Sequence, residues 1–487
     1  MSLTKAKSIK ELKKAGYKTV SVKEELRKNL IEKLKKNENL FPGIIGYDKT
    51  VLPQLINAIL SKHDFILLGL RGQAKTRILR SLVSLLDESI PAIKGCPLND
   101  DPFKPACVPC QKRLAAGEDN LEIGWLPREA RYQEKLATPD ITIADLIGDI
   151  DPIKAARERL DFSDEEAIHY GIIPRTNRGI FAINELPDLQ PRLQVGLLNI
   201  MEEKDIQIRG FPIRMPLDIL LVYSANQEDY TNRGNIITPL KDRIDSQIMT
   251  HYPQTLEDAL AITTQEAWTE RGVKICLPDF VKEIIEEIAF AARKSEYVDQ
   301  TSGVSARLPI SALENLLSNV EKRALRTKDN ILYPRICDLI AVVPSVTGKV
   351  ELVYEGEQEG AGIVAFNLIG KAIKEVFSRY FPEVPKSGAP SGNSCYAEIL
   401  RYFSSGQTIE LSDESPFEQY YAALNKIPGL QKAVEEHLPP GPKEEMAPQM
   451  ELVLEGLHQN NLIGKETFEN AFRYTDMLST MLRGMED

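Results

Sequence analysis

The residues from 64 to 76 combine the residue types that bind phosphate. They read Asp-Phe-Ile-Leu-Leu-Gly-Leu-Arg-Gly-Gln-Ala-Lys-Thr, a short apolar run followed by a glycine-containing turn. Glycines allow a tight loop whose backbone N–H groups face phosphate oxygens. Lys75 places an ammonium group against the β- and γ-phosphates of a nucleoside triphosphate, and the Thr76 hydroxyl can ligate Mg²⁺. The candidate nucleotide-binding residues are Gly69, Gly72, Gln73, Ala74, Lys75 and Thr76.

Ala74 departs from the phosphate-loop consensus G-x-x-x-x-G-K-[ST], which has its second glycine at this position. We expect alanine to cost little there, because we expect its φ angle to be negative. The motif is short and imperfect, so a chance glycine turn before a helix is the alternative. The interpretation as a phosphate loop therefore depends on the motifs that follow.

A second apolar segment, residues 178–185, reads Arg-Gly-Ile-Phe-Ala-Ile-Asn-Glu. In P-loop ATPases a buried strand of this kind ends in Asp-Glu, where the Asp orients the Mg²⁺ shell and the Glu activates water. Here Glu185 is the candidate catalytic base, whereas the metal-side carboxylate is replaced by the amide of Asn184. An ordinary core strand with a polar end is the alternative, and the position downstream of the phosphate loop favours the catalytic interpretation.

Further polar residues follow in the same region. A third apolar strand is predicted at 219–224, and Asn226 comes just after it, at the edge of a parallel sheet where ligands bind. Residues 206–215 are predicted to form a hairpin that turns at Gly210. Arg243 follows in Leu-Lys-Asp-Arg and could reach a phosphate group.

Cys96, Cys107 and Cys110 are a possible partial zinc site. A Cys-x-x-Cys pair supplies two thiolates and Cys96 a third, but no further Cys or His stands nearby, and structural zinc takes four ligands. A proline-rich loop with free thiols is the interpretation that we favour, and zinc stays open.

The composition is that of an ordinary globular protein of two or three domains. The chain has 487 residues, 43% hydrophobic and 27% charged, with a formal net charge of -11. The negative charge argues weakly against general nucleic-acid binding. Since no apolar run approaches the roughly 20 residues that cross a bilayer and no signal-peptide core is visible, we expect a cytoplasmic protein without membrane contact. Six cysteines in a chain this long do not indicate a disulfide framework.

Four regions are predicted along the chain. They are a lysine-rich helical extension (1–40), an α/β core (41–253), a helical lid (254–345) and a helical C-terminal region (346–487). For the extension we favour solvated helices over contact with an acidic partner. Residues 384–394 are predicted to be a linker. No motif in the C-terminal region carries chemistry.

Taken together, the motifs resemble those of an AAA+ ATPase, most closely the magnesium-chelatase ATPase subunit and its MoxR-type relatives. Three stretches carry the resemblance: 145–156, 175–185 and 208–216. The similarity extends over roughly residues 41–325. The fold that it implies is a P-loop α/β core with a parallel sheet, followed by a helical lid and a helical C-terminal region.

The resemblance also implies roles for single residues. Lys75 and Thr76 would bind the phosphates of ATP and Mg²⁺, with Asn184 beside the metal. Glu185 would polarise water, and Asn226 would be the sensor 1 residue. Arg243 would be an arginine finger supplied to the next subunit. Arg307 would be the sensor 2 residue of the lid. A finger that acts in trans implies a ring, expected to be a hexamer, and the family works with a separate protein that carries a von Willebrand factor A domain.

Three functions stay open at this point. The first is an ATP-driven motor that remodels or activates a partner protein, as chelatase motors and MoxR-type chaperones do. The second is a nucleotide-gated assembly scaffold in which Asn184 slows hydrolysis. The third is a DNA-linked motor or transcription activator, against which stand the few basic residues of the hairpin, Arg209 and Arg214, and the negative net charge.

Overall fold

The computed structural model describes residues 6–117, 121–159, 165–208, 214–226, 236–327, 329, 331–384, 394–467 and 471–477. The chain divides between His251 and Tyr252 into two compact units. The finer boundaries at residues 40 and 345 stay predictions. Most of the predicted linker (385–393), the tip of the predicted hairpin (209–213) and the side chain of Arg214 lie outside the described part of the chain.

The first unit alternates strands and helices. Its strands are β1 (Phe65–Leu68), β2 (Ser89–Ile93), β3 (Ile123–Pro127), β4 (Tyr132–Leu136), β5 (Gly148–Ile150), β6 (Ile168–Tyr170), β7 (Gly179–Asn184), β8 (Asp205–Gln207), β9 (Arg214–Pro216), β10 (Ile219–Ala225) and β11 (Ser246–Met249). Its helices are α1 (Ile9–Lys14), α2 (Val22–Lys35), α3 (Val51–Leu60), α4 (Lys75–Ser81), α5 (Val108–Ala115), α6 (Ile143–Leu146), α7 (Pro152–Glu158), α8 (Ile172–Arg175), α9 (Pro191–Glu202) and α10 (Thr238–Arg243).

Five of these strands form a parallel sheet in the order β11-β1-β10-β7-β4. β10 lies between β1 and β7, with Leu68 opposite Ala225 and Ile183 opposite Tyr223. The predicted parallel arrangement of the three motif-bearing strands is confirmed. The edge strands β4 and β11 are additional to those predicted. As a result, the carboxyl ends of β1, β7 and β10 meet at one edge of the sheet.

The apolar residues of β1, β7 and β10 are buried on both faces of the sheet. Neighbouring side chains of a strand point to opposite faces. Phe65 and Val222 therefore pack with apolar residues of α2, α3 and α4, whereas Ile66 and Tyr223 pack with those of α1, α9 and α10. This double coverage is typical of parallel sheets.

The N-terminal helices are packed on this sheet. Leu12 of α1 and Leu26 of α2 are buried in its two apolar clusters, while lysines such as Lys28 are exposed. Glu25 of α2 forms a buried two-point ion pair with Arg131, at 2.7 and 2.6 Å. The helices α1 and α2 are therefore part of the first compact unit.

The second unit is mostly helical, as predicted. Its helices are α11 (Leu256–Glu266), α12 (Asp279–Arg293), α13 (Arg307–Thr327), α14 (Val343–Thr347), α15 (Tyr354–Glu359), α16 (Ala361–Tyr380), α17 (Ala397–Ser404), α18 (Phe417–Leu424), α19 (Leu430–His437) and α20 (Lys443–Gln459). A small antiparallel sheet, which was not predicted, has the order β12 (Ile409–Leu411), β14 (Phe472–Thr475), β13 (Gly464–Thr467). Within the described ranges, no helix of either unit has the length and apolar character needed to span a bilayer.

Candidate functional site

The phosphate loop begins at Gly69 after β1 and ends where Lys75 begins α4. Gly69 has a φ angle of 155° and Gly72 one of 72°, both in the region that favours glycine. A Cβ atom on Gly69 would clash with the side chains of Thr250 and Gln73. The Thr250 hydroxyl lies 2.7 Å from the Gln73 amide oxygen, to which it donates, and both residues are buried. The loop is therefore packed directly against the residue that follows β11.

Ala74 adopts a left-handed conformation, with φ 56° and ψ 15°. The prediction of a negative φ angle is therefore wrong. The chain must turn sharply into the N-terminus of α4 at this point, where the consensus loop has glycine. Left-handed backbone costs a non-glycine residue roughly 1–2 kcal/mol, so the loop holds a strained residue beside Lys75, the candidate phosphate ligand.

Lys75 and Asn226 are brought together by the sheet. The Lys75 ammonium group donates to the carbonyl oxygens of Gly69 and Leu70 at 2.6 and 2.8 Å, and to Asn226 Oδ1 at 3.0 Å. Asn226 follows Ala225, which pairs with the last residue of β1. The candidate phosphate ligand and the candidate sensor thus lie side by side at the carboxyl edge.

Asn184 and Glu185 stand at the same edge, one strand further along. The Ser224 hydroxyl donates to Asn184 Oδ1 at 3.0 Å, and the Glu185 backbone N–H donates to Ser224 Oγ at 3.4 Å. Glu185 has a φ angle of 58°, so the chain turns sharply immediately after β7. Two interstrand spacings, about 10 Å, separate the ends of β7 and β1.

The oxygen atoms at this edge fit Mg²⁺, which takes oxygen ligands and usually keeps several waters beside nucleotide phosphates. Thr76, half-buried in the first turn of α4, offers a hydroxyl group. The Asn184 amide oxygen already accepts a hydrogen bond from Ser224 and carries no charge. These residues fit a cation that Thr76 and the phosphates would hold, with a weaker contribution from Asn184.

Arg243 ends α10 and contacts α9. Its guanidinium group pairs with Glu202 at 2.9 and 2.7 Å and donates to the Pro239 carbonyl oxygen at 3.0 Å. The Arg243 side chain is 31% exposed. Among the described residues, the hydrogen bonds and ion pair of Arg243 are thus with its own helix and with α9, and none is with the phosphate loop of the same chain.

Arg307 is the first residue of α13, in the second unit. It is exposed, and its backbone N–H donates to Ser305 Oγ at 3.1 Å. Its predicted role as a sensor on the lid stays a prediction.

Comparison with known proteins agrees with this geometry. The chain is 30% identical over 205 residues to the magnesium-chelatase subunit ChlI homolog of Methanocaldococcus jannaschii. The aligned part is 40% of this chain and 52% of that protein, so the chain spans about half the length of the curated relative that it matches. The predicted resemblance to AAA+ ATPases of the magnesium-chelatase type is confirmed.

Two solved structures are similar to this chain at lower identity. A complex of the magnesium-chelatase subunits BchI and BchD, based on a single-particle cryo-EM reconstruction, is 19% identical, with 70% of this chain and 95% of that chain covered and a TM-score of 0.35. A putative ATPase from Cytophaga hutchinsonii is 18% identical, with 74% and 97% covered and a TM-score of 0.30. No protein-family model matches the chain.

Several residues that support the candidate site were not predicted. Besides Thr250 and Ser224, Tyr47 places its hydroxyl group 3.0 Å from the Gln73 carbonyl oxygen and 2.7 Å from that of His251. Tyr47 and Thr250 lie far from the phosphate loop in sequence, and only the tertiary fold brings them to it, so no local pattern could have identified them. Ser224 lies within the predicted third strand, two residues before Asn226, but its approach to Asn184 depends on the pairing of β10 with β7.

Proposed function

We propose that the chain binds and hydrolyses ATP as an AAA+ motor of magnesium-chelatase or MoxR type, and that it uses this cycle to remodel or activate a partner protein. The observation that carries the proposal is the 3.0 Å approach of Lys75 Nζ to Asn226 Oδ1. It places a phosphate-binding cation beside a polar group from another strand, next to the strand that precedes Glu185. A triphosphate bound to the loop would meet both groups.

In this proposal each residue has one task in hydrolysis. Lys75 binds the β- and γ-phosphates, and the loop N–H groups bind the remaining phosphate oxygens. Glu185 orients the attacking water and accepts its proton, while Asn226 hydrogen-bonds at the γ-phosphate. When bound, Mg²⁺ would neutralise charge on the phosphates.

The proposed assembly is a ring, with a hexamer as the expected form and a separate protein with a von Willebrand factor A domain as partner. The position of Arg243 supports an assembly in which this residue serves a neighbour. Its side chain is partly exposed and is held by Glu202 on α9. An arginine supplied in trans in this way is worth roughly 10³-fold or more in hydrolysis rate.

A second candidate function is a nucleotide-gated scaffold with slow hydrolysis. The observation that favours it is the Ser224–Asn184 hydrogen bond, which engages the only acceptor of an amide that stands where related ATPases have a carboxylate. In this case ATP would control ring assembly while turnover stays low.

The test measures ATP binding and steady-state hydrolysis with Mg²⁺ for the wild type and three variants. Lys75→Ala should lose ATP binding, because the phosphates keep only backbone dipoles. Glu185→Gln should bind ATP but not hydrolyse it. Lys35→Ala, an exposed lysine at the end of α2, is the matched control and should behave as wild type.

Each outcome separates the interpretations. Robust, Lys75-dependent turnover supports the motor. Tight binding and ATP-dependent assembly with slow turnover supports the scaffold. Unchanged ATP affinity in Lys75→Ala would show that the nucleotide site lies elsewhere.

A further inference from the structure

Four side chains of the types that bind metals meet where the loop after β2 enters the first turn of α5. They are Cys96, Asp100, Cys107 and Cys110, and their ligand atoms all lie within 4.8 Å of one another. The sulfur atoms of Cys96 and Cys107 are 3.8 Å apart. Two thiolates at Zn–S distances of ~2.3 Å in a tetrahedron are separated by about 3.8 Å. The cluster therefore has the dimensions of a four-coordinate metal site.

Asp100 is the fourth ligand that the sequence interpretation lacked. Its side chain is fully buried. One carboxylate oxygen, Oδ2, accepts a hydrogen bond from the Cys107 backbone N–H at 3.0 Å. The other, Oδ1, is buried and has no hydrogen-bond partner among the described residues. Burying such an oxygen without a partner is costly, and coordination of a cation would remove that cost.

The backbone around the cluster also favours thiolates. The Leu98 N–H lies 3.4 Å from Cys96 Sγ and donates to it. Cys107 is the N-cap of α5, and Cys110 lies in the first turn of that helix. The positive end of a helix stabilises thiolate anions, which are the metal-binding form of cysteine.

We propose that Cys96, Asp100, Cys107 and Cys110 bind one Zn²⁺ ion in a structural site. Three thiolates and one carboxylate suit zinc, which takes S, N and O ligands in a tetrahedron. Binding releases the thiol protons to solvent and involves no change of oxidation state. Because the chain fills all four positions, no place is left for a reacting water.

The loop between β2 and α5 (residues 94–107), here called the zinc loop, contacts the residues that lead into β7. Asn177 donates from its side-chain amide to the Leu98 carbonyl oxygen at 3.0 Å, and Arg178 pairs with Asp101 at 3.3 Å. The metal would thus hold this loop against the start of the strand that precedes Glu185. This inference does not depend on ATP hydrolysis, because metal content is measured without nucleotide.

The first test is elemental analysis of the full-length protein, expressed with zinc and purified without chelators. One zinc per chain is expected. Asp100→Asn keeps an acceptor for the Cys107 N–H but loses the negative charge. Its zinc affinity should fall at least about 10- to 100-fold, because loss of a residue that only hydrogen-bonds to a metal ligand can already cost that much. Asp100→Cys should retain zinc. Cys276→Ser, which changes a free cysteine outside the cluster, is the control and should keep full zinc.

The second test uses the wild type alone, so it does not depend on the folding of a variant. Zinc is removed with a strong chelator, Co²⁺ is added, and the visible bands of tetrahedral thiolate-bound Co²⁺ are expected. Zinc should also protect three thiols from alkylation. Absence of zinc and of these bands in reduced protein, a Cys96–Cys107 disulfide, or bound iron with sulfide would each overturn the proposal.

Discussion

Replacement of Ala74 by glycine should make the protein more stable. Ala74 is exposed, so removal of its methyl group costs little packing. With φ 56° and ψ 15°, the alanine carries roughly 1–2 kcal/mol of left-handed strain that glycine avoids. Glycine loses about 0.4–1 kcal/mol more conformational entropy on folding. The difference lies between about 0 and 1.6 kcal/mol, with a central value of about 0.8 kcal/mol in favour of glycine.

The effect can be measured as the melting temperature of the nucleotide-free protein. For a unit of this size, 1 kcal/mol corresponds to about 2–4 °C, so an increase of about 1–4 °C is expected. Ala156→Gly is the matched control, because Ala156 is also exposed but lies within α7. There the same exchange should destabilise by about 1 kcal/mol. If Ala74→Gly lowers the melting temperature as the control does, the φ angle of Ala74 is not positive in solution.

Three further predictions concern charge. Asn184→Asp should lower the half-saturating Mg²⁺ concentration and raise turnover, because the Ser224 hydroxyl occupies one carboxylate oxygen and leaves the other for metal-bound water; unchanged kinetics would show that residue 184 is not beside the metal. Arg243→Ala should reduce hydrolysis by roughly 10³-fold without loss of ATP binding, whereas Glu202→Gln should leave hydrolysis largely intact; a monomeric wild type that hydrolyses ATP would contradict this. Burial raises the pKa of Glu286, which lies on α12, from its ordinary value of 4.5 to about 7. The free energy of unfolding of the protein therefore falls as the pH rises from about 4.5 through 7, because the buried carboxyl group must then ionise. In urea unfolding at about pH 8, Glu286→Gln should therefore be more stable than wild type by about 3 kcal/mol, a gain that disappears near pH 4.5, and an equal gain at both pH values would refute the assignment.

The strands of the site could be predicted because each is an apolar run that is followed by a glycine turn, as after β1, or by a polar residue, as in β7 and β10. That pattern identified β1, β7 and β10 together with Asn184 and Asn226. The edge strand β4, by contrast, reads Tyr-Gln-Glu-Lys-Leu and is only half-buried. Its pairing with β7 comes from the tertiary fold, since its own residues give no apolar signal.

Two details of the sites depended on contacts that sequence spacing does not show. The left-handed backbone of Ala74 belongs to a loop that closes against Thr250, far along the chain. Asp100 reaches the thiols because the chain turns through Gly95 and Asn99, which have φ angles of 78° and 52°. A search for a fourth Cys or His could not find a carboxylate brought in by such turns.

The amino-terminal edge of the sheet, opposite the candidate nucleotide site, is held by polar contacts from segments outside that site. Arg178, which precedes β7, pairs with Asp101 of the zinc loop at 3.3 Å and donates to the Tyr17 hydroxyl at 3.0 Å. Asp218, which precedes β10, accepts a hydrogen bond from the Val22 backbone N–H at the start of α2 at 2.9 Å. The N-terminal segment and the zinc loop are thus both attached at the starts of these two strands.

These attachments bear on the proposed ATP hydrolysis because β7 and β10 are short, and their carboxyl ends precede Glu185 and Asn226. A strand of six or seven residues in a paired sheet is stiff, so a constraint at its start also limits where its last residue lies. Positioning within about 0.5 Å is what a catalytic arrangement requires. The N-terminal helices and the zinc loop carry none of the proposed ATPase chemistry. We infer that they nevertheless help to position Glu185 and Asn226, which do carry it.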